Sequence, residues 1–518
     1  MILKNFVKKF IVVWLSICTI ILACGCEISL TKPNQSTQQS SNQTSSTITS
    51  SSKSESTASS KEEESSSLSV HTCNFSEKIA TEDYLVDEAT YLNGGKYYYS
   101  CECGEAGTQT FETDVLDYQY ENVEAYIDMI LQNGSYQNPF WNTEKSGYAS
   151  WNYIDGCMMT SFYKLYNLTE ETKYWDFVNA YMDYLVKTDG NMRGYSTSEY
   201  NLDNINEGRV LFTMLEKKPN STKYKTAIDK LYAQLKDQPR TSAAEPKGNF
   251  WHKNKYKQQI WLDGIYMAQP FYAMYIKQYG TKEGEKPDYS DIISQISNVE
   301  KYMKDSKTGL YYHGIDVSKA QTWADPETGL SANFWGRAMG WYFAALSDLT
   351  EIIDKNTNPE EWAKIQGYFK TAVDDLLPFM DEETHMFYQV IDKGATKDKN
   401  GKSNYLETSA TSLFAYAILH GVNTGALDES YFNVGKAIFN GICINKFQVS
   451  ETADFENYTF KTSDFKLTDI CKVAGLSSDR NGSFEYYLSE SIVSNEAKGV
   501  APFLMAYVEI LANKQASN

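Results

Sequence analysis

Residues 115–518 show a helical pattern of apolar and polar positions over most of their length. Apolar residues recur every three to four positions between breaks marked by Pro, Gly and Asn, and strand-like alternation is scarce. The pattern predicts twelve helices, near 117–132, 149–167, 170–186, 203–217, 221–236, 260–279, 289–304, 332–355, 359–380, 405–421, 428–446 and 497–513.

Helices spaced by roughly 33 residues suggest six helical hairpins, which can close into an inner and an outer ring. We therefore predict an all-α catalytic domain with the architecture of an (α/α)6 barrel, and an open helical solenoid is the alternative. The even-numbered helices would form the inner ring. Their N-terminal ends would meet at one mouth, where free amide groups favour an anionic ligand. Aromatic and polar clusters mark these ends at 151–156, 202–204, 261–264, 333–342 and 405–409.

The N-terminus is typical of an exported protein. Lys4, Lys8 and Lys9 precede an apolar run of 14 residues at 10–23, a length that suits a secretory signal better than a membrane span. Residues 21–24 resemble a bacterial lipobox, so we expect residues 1–26 to be a lipoprotein signal, with simple secretion as the alternative. Cys24 would carry the lipid, and Cys26 is a second candidate for it.

A Ser/Thr-rich segment follows the signal at 27–70. Between 36 and 67, 20 of 32 residues are Ser or Thr, and the only apolar residues are Ile48 and Ala58. Such a segment cannot bury enough surface to fold. It predicts a flexible tether that holds a folded unit off the cell surface.

Residues 71–113 form a predicted small β-rich module with cysteines at two places. His71, Cys73, Cys101 and Cys103 could supply four zinc ligands, because thiolate and imidazole suit that ion. The spacing is looser than in a usual zinc knuckle, and an extracellular module permits a disulfide or simple packing instead. The segment resembles short modules of secreted Gram-positive bacterial proteins, which suggests a cell-surface or secreted location in such a bacterium.

The composition restricts the function further. Lys+Arg is 48 and Asp+Glu is 67, giving a net charge of −19, which argues against nucleic-acid binding. Aromatic residues make up 14% of the chain, and Tyr and Trp offer the flat amphipathic faces that line sugar clefts, although an aromatic core would look the same.

Two carboxylates at the starts of inner helices are the candidate catalytic groups. Asp263 lies among apolar neighbours, which would raise its pKa and favour a general acid, and Asp203 starts the preceding inner helix. Paired carboxylates are the general signature of glycoside hydrolysis. Each aspartate could instead be an N-cap of its helix.

Four long segments stand out along the chain: "FWHKNKYKQQIWLDGIYMAQPFYAMY" (250–275), "LYYHGIDVSKAQTWADPETGLSANFWGRAMGWY" (310–342), "NYLETSATSLFAYAIL" (404–419) and "SFEYYLSESIVSNEAKGVAPFLMAYVEI" (483–510). Together they resemble the unsaturated rhamnogalacturonyl hydrolases, glycoside hydrolase family 105, and the resemblance covers about 115–513. The unsaturated glucuronyl hydrolases of family 88 share the fold and the chemistry.

The resemblance implies hydration of the C4=C5 bond that polysaccharide lyases leave on a terminal uronic acid. Asp263 would protonate the enol ether and assist the water that adds at C5, and Asp203 would position the ring and support developing positive charge. No metal or organic cofactor is implied for this reaction, and the partners are unsaturated uronic acid oligosaccharides. The residues implied near the substrate are Tyr153, His252, Trp261, His313, Trp335, Arg337 and Trp341.

The three tryptophans would give stacking faces, and Arg337 would share an inner face with Trp341, one helical turn away. Two other functions stay open: a glycosidase acting on saturated sugars, and a noncatalytic glycan-binding lipoprotein. The sequence does not separate galacturonyl from glucuronyl substrates.

Overall fold

A computed structural model describes residues 72–141, 149–282 and 284–517. The predicted signal, the lipidation at Cys24 or Cys26, the tether and His71 lie outside these residues and stay predictions. In the described part of the chain, no helix is long and apolar enough to cross a membrane.

The N-terminal module contains one antiparallel sheet of three strands, as its sequence predicts. The strands are β1 (Leu85–Asp87), β2 (Lys96–Ser100) and β3 (Ala106–Glu112), and β2 lies in the middle. Tyr97 pairs with Phe111 across β2 and β3, and their rings stack at 5.8 Å.

Each of the twelve predicted segments contains helix. The segment at 203–217 is divided into a short helix and a longer one, and a short helix at 484–489 was not predicted. The helices are α1 (Glu121–Gln132), α2 (Tyr153–Thr169), α3 (Thr172–Leu185), α4 (Asp203–Asn206), α5 (Arg209–Lys217), α6 (Thr222–Asp237), α7 (Leu262–Tyr279), α8 (Ser290–Tyr302), α9 (Gly336–Ile352), α10 (Pro359–Leu376), α11 (Thr408–Asn423), α12 (Ser430–Asn445), α13 (Phe484–Ser489) and α14 (Ala497–Ser517).

Six helical positions form a closed inner ring, so the protein is an (α/α)6 barrel and the open solenoid is wrong. The order around the ring is α2, α4 with α5, α7, α9, α11 and α14, and α14 packs back against α2. The even-numbered predicted helices are therefore the inner ones, as expected.

Burial differs between the two rings for a reason visible in the sequence. Every residue of inner helix α9 is buried except Glu351. The outer helix α10 buries a single stripe of apolar residues, namely Ile365, Phe369, Ala372, Val373 and Leu376. An inner helix is covered on all sides and needs apolar or small residues all round, whereas an outer helix needs one apolar face.

Glycines set the spacing of two inner helices, α9 and α11. A Cβ at Gly340 would come within 2.7 Å of Leu413, and one at Gly336 within 2.9 Å of Ala410. The close packing therefore depends on the missing side chains, which is how α9 and α11 can bury nearly their whole surface.

A pair of short strands lies at the start of α7. Strand β4 (Gln259–Trp261) pairs antiparallel with β5 (Gly314–Asp316), with Trp261 opposite Gly314. Residues 260 and 261, predicted to start the helix, therefore belong to β4. The other strands, β6 (Phe447–Val449), β7 (Phe465–Leu467), β8 (Ile470–Cys471) and β9 (Ile492–Val493), form two more such pairs.

Candidate active site

The two candidate carboxylates lie in the first turns of adjacent inner helices. Asp203 is the first residue of α4 and Asp263 the second residue of α7, and these helices pack together. Their side chains are 20% and 16% exposed, so each is mostly enclosed but still reached by solvent. The negative charge of Asp263 opposes ionisation of Asp203, which means that the two groups are electrostatic neighbours.

A histidine is attached to each of these helix starts in the same way. The carbonyl of His252 accepts the amide of Leu202, and its Nε2 lies 3.5 Å from Asp203 Oδ1. The carbonyl of His313 accepts the amide of Leu262, and its Nε2 lies 3.4 Å from Asp263 Oδ2. Each backbone hydrogen bond thus places an imidazole beside the following carboxylate. Both histidines lie in loops next to the paired strands β4 and β5.

Asp203 is held as a charged group. Burial alone would raise its pKa, but the ammonium of Lys253, which donates to Oδ2, and the nearby His252 lower it below the ordinary value. Asp203 is therefore ionised at neutral pH. A carboxylate fixed in this way is suited to stabilising positive charge and binding hydroxyl groups.

The sequence predicts a raised pKa for Asp263 because its neighbours in the chain are apolar. For the free protein this prediction is wrong. Burial does raise this pKa, but His313 and, to a lesser extent, His252 outweigh burial and lower the pKa below its ordinary value. The nearest polar groups come from other segments of the chain, which the flanking residues 260–267 do not reveal. In the free protein Asp263 is therefore ionised at neutral pH.

His252 is buried and neutral at neutral pH. Loss of solvation, only partly offset by Asp203, lowers its pKa to about 4. Its Nδ1 approaches α7 at Gly264, where a Cβ would come within 2.9 Å of that nitrogen. Glycine at 264 therefore allows His252 to sit against the start of α7.

Aromatic rings surround the histidines. Trp261 stacks on His252 with ring centroids 4.7 Å apart and on Tyr256 at 4.6 Å, and it meets His313 edge-on at 5.3 Å. Trp261 is buried, with Leu476 and Trp323 packed against it. It forms part of the wall that keeps the histidines in place.

Trp335, Arg337 and Trp341 were expected to line the substrate site directly, but all three are buried. The two indoles are 1% exposed and offer no open stacking face. The Arg337 guanidinium lies over Trp335, 4.7 Å from the ring. It donates to Ser409 Oγ at 3.1 Å and to the Cys471 carbonyl.

Tyr153, the first residue of α2, is closer to the carboxylates. Its ring meets Trp341 edge-on at 6.0 Å. Burial raises the pKa of its hydroxyl well above the ordinary value, Arg337 lowers it, and the charges of Asp203 and Asp263 raise it further. Tyr153 is therefore a neutral hydroxyl within electrostatic reach of both aspartates.

Three residues of the site were missed from the sequence. Lys253 follows His252 directly, Tyr256 stacks on Trp261, and the hydroxyl of Tyr487 lies 2.8 Å from His313 Nδ1. All three lie within the four segments that resemble family 105, and this position was the signal that could have identified them. The sequence does not show which side chains of these segments point into the site, because that depends on the loops and on packing across the barrel.

The site contains buried polar atoms with no hydrogen-bond partner among the described residues. They are His252 Nδ1 and the facing atoms Asp263 Oδ2 and His313 Nε2, which lie 3.4 Å apart without the geometry of a hydrogen bond. Unsatisfied buried polar groups are costly, and at a functional site they are normally satisfied by a ligand or water. The arrangement can therefore exchange a proton at Asp263, whose side chain is still 16% exposed.

The four predicted metal ligands are far from this site in sequence and belong to the N-terminal module. Cys73, Cys101 and Cys103 have sulfur atoms within 4.8 Å of one another.

The (α/α)6 barrel and its paired carboxylates define a glycoside hydrolase of the six-hairpin class. The sequence profile of Glycosyl Hydrolase Family 88 matches residues 127–514, so the chain belongs to that family.

Known relatives agree with this assignment. A solved family 105 glycoside hydrolase from C. acetobutylicum ATCC 824 is 38% identical, with a TM-score of 0.65, over 76% of this chain and 99% of that one. Protein Atu3128 of Agrobacterium fabrum is 30% identical over 45% of this chain and 95% of its own length. The unsaturated rhamnogalacturonyl hydrolase YesR of Bacillus subtilis is 21% identical over 61% of this chain and 80% of its own. The resemblance to family 105 noted in the sequence is thereby confirmed.

Proposed function

We propose that the protein removes a 4,5-unsaturated galacturonic acid from the non-reducing end of oligosaccharides that lyases release from pectin and rhamnogalacturonan. The observation that carries the proposal is the unequal environment of two neighbouring carboxylates. Asp203 is neutralised by the ammonium of Lys253, whereas Asp263 faces the imidazole of His313, with its Oδ2 3.4 Å from Nε2. Carboxylates in different surroundings take different roles in one reaction.

In the proposed reaction Asp263 gives its proton to C4 of the enol ether. Water adds at C5 and loses a proton to Asp263, which restores the acid. The hydrated ring opens and releases the remaining sugar. Asp203 binds ring hydroxyls and supports the positive charge that develops as C4 is protonated.

The ionised state of Asp263 in the free protein fits an anionic substrate. An approaching uronate carboxylate places a second negative charge near Asp263 and excludes water, and both effects raise the pKa of an acid. Asp263 would therefore take up its proton together with the substrate.

The galacturonyl specificity is supported by the relative named as an unsaturated rhamnogalacturonyl hydrolase. The match to family 88 favours a second candidate, the unsaturated glucuronyl residue of other lyase products.

The test is a substrate panel followed by sugar release and by loss of the ultraviolet absorbance of the C4=C5 carboxylate. The panel contains unsaturated galacturonyl-rhamnose, unsaturated glucuronyl disaccharides and the saturated counterpart of each. We expect turnover of the unsaturated galacturonyl compound and none of the saturated ones. Turnover confined to glucuronyl compounds would select the second candidate. Cleavage of saturated sugars, or binding without turnover, would overturn hydration as the function.

A further inference from the structure

The N-terminal module brings together three cysteines from two separate parts of its chain. Cys73 precedes the first strand, while Cys101 and Cys103 lie in the turn that joins β2 to β3. Any two of the three sulfur atoms are within 4.8 Å of each other, and those of Cys73 and Cys103 are 3.5 Å apart. The active site described above contains none of these residues.

The turn is shaped so that both of its thiols reach the same point. The amide of Gly104 donates to the Cys101 carbonyl at 2.8 Å, and that of Cys101 donates to the Glu105 carbonyl at 2.9 Å. Gly104 has a φ of +90°, which favours glycine over residues with a side chain. Cys101 is buried and Cys103 exposed, so the cluster lies at the surface and is open on one side.

The sulfur spacing suits a tetrahedral metal ion. Zinc–thiolate bonds of about 2.3 Å at tetrahedral angles require sulfur atoms about 3.8 Å apart. A disulfide requires about 2.05 Å. A separation of 3.5 Å between Cys73 and Cys103 is closer to the first value, and the third sulfur lies within the same cluster.

The module also has little else to hold it together. Of residues 72–113, only Gly95, Ser100, Cys101 and Phe111 are buried. Phe75 and Ile79 expose 42% and 43% of their surface. A segment of this size cannot build a large apolar core by itself, and small modules commonly gain stability from a metal ion or disulfides.

We propose that Cys73, Cys101 and Cys103 bind one Zn²⁺ ion, which ties the segment before β1 to the β2–β3 turn. The three thiols lose their protons on binding, and the ion takes three thiolate ligands. His71, the fourth ligand expected from the sequence, lies outside the described residues, so the proposal rests on the three sulfur atoms alone. The role of the ion is structural, since the site is separate from Asp203 and Asp263.

The test is the zinc content of the full chain after equilibration with Zn²⁺ and removal of unbound metal. We expect one zinc ion per chain in the wild type, with strong loss in Cys73→Ser and in Cys103→Ser. The matched control is Cys443→Ala, a buried cysteine of α12 outside the cluster, which should keep its zinc. Wild-type protein loaded with Co²⁺ should show the near-ultraviolet charge-transfer absorption of cobalt–thiolate bonds, which does not depend on any variant folding.

Two results would overturn the proposal. One is a wild type without bound zinc whose intact mass is lower by two hydrogen atoms than that of the reduced protein, with a Cys73–Cys103 linked peptide, because that pair would then be a disulfide. The other is equal zinc content in the wild type and both serine variants, because the ion would then be bound elsewhere.

Discussion

His313 Nε2 lies 3.4 Å from Asp263 Oδ2. The orientation of this imidazole is fixed from its other side, where Nδ1 lies 2.8 Å from the hydroxyl of Tyr487, a residue of α13. A histidine held by a partner on one nitrogen presents the other nitrogen in a defined direction. The contact to Asp263 therefore depends on a residue more than two hundred positions away in sequence.

Replacing Tyr487 with phenylalanine should lower kcat about tenfold, because the freed imidazole no longer holds Asp263 in position. The measurement is steady-state kinetics together with the pH profile of kcat, which should shift if Tyr487 acts through His313 and Asp263. Tyr224→Phe is the matched control, since its hydroxyl donates to Asp183 of the outer helix α3. Equal effects of the two variants would contradict this role for Tyr487.

Replacing Lys253 with methionine should raise the pKa of Asp203. Burial and the charge of Asp263 would then act without the opposing ammonium. If Asp203 must be ionised, the acid limb of the kcat profile should move to higher pH and kcat at pH 5 should fall at least about tenfold. Lys257→Met, at an exposed position of the same loop, should leave the profile unchanged. An unshifted acid limb in the Lys253 variant would show that Asp203 need not be charged.

The pH dependence of the wild type should differ between kcat/KM and kcat. The proposed active form has Asp263 protonated, so the rate is lost as pH rises through its pKa. That pKa is lowered in the free protein by His313 and His252, and the anionic substrate raises it in the complex. Because kcat/KM reports the free enzyme and kcat the complex, the alkaline limb of kcat should lie at higher pH. Coincident alkaline limbs would contradict proton uptake with the substrate.

A charge cluster around the buried His420 should make stability depend on pH. Its Nδ1 lies 3.1 Å from Glu509 and its Nε2 3.3 Å from Glu351. Burial and Lys164 oppose protonation, but the two carboxylates raise the His420 pKa from 6.5 to about 9. Because the His420 pKa is higher in the folded protein than in the unfolded chain, protonated His420 stabilises the fold. This contribution is complete below pH 6.5 and is lost as the pH rises through about 9.

The free energy of unfolding should therefore fall between pH 6.5 and 9 by up to about 1.4 kcal/mol per pH unit, and His420→Gln should reduce this slope. Urea unfolding at a series of pH values measures how the free energy of unfolding changes with pH. His385→Gln is the control, because burial lowers the pKa of His385 and keeps it neutral over this range. A slope that His420→Gln leaves unchanged would show that another group causes the dependence.

Local sequence patterns were sufficient to predict the barrel and the positions of Asp203 and Asp263 at the starts of inner helices. Helical periodicity gave the alternation of rings, and Asp203 and Asp263 each lie at a predicted inner-helix start. The motifs containing His252 and His313 also pointed to the site. These features depend on nearby residues, so they can be recognised in the chain alone.

The remaining features depend on contacts between distant segments. Whether the indoles of Trp335 and Trp341 are exposed in the cleft or buried depends on how the inner helices pack. The local sequence does not distinguish an exposed tryptophan from a buried one. The lowered pKa of Asp263 comes from His313, fifty residues later, while its immediate neighbours in sequence predicted the opposite. Lys253 was missed because its pairing with Asp203 depends on the direction of a loop side chain.

The most direct test of the central claim compares the wild type with Asp263→Asn on unsaturated galacturonyl oligosaccharides. Loss of the ultraviolet band of the C4=C5 carboxylate is followed at equal protein concentration. Asp229→Asn, which removes a surface carboxylate paired with Lys225, is the matched control. Removing a general acid typically lowers the reaction rate about 10²- to 10⁴-fold. We therefore expect the band to disappear with the wild type and with Asp229→Asn. With a folded Asp263→Asn protein it should persist at least about a hundredfold longer. Equal rates for all three proteins would contradict the assignment of Asp263, and a band that no form of the protein removes would contradict the hydration reaction itself.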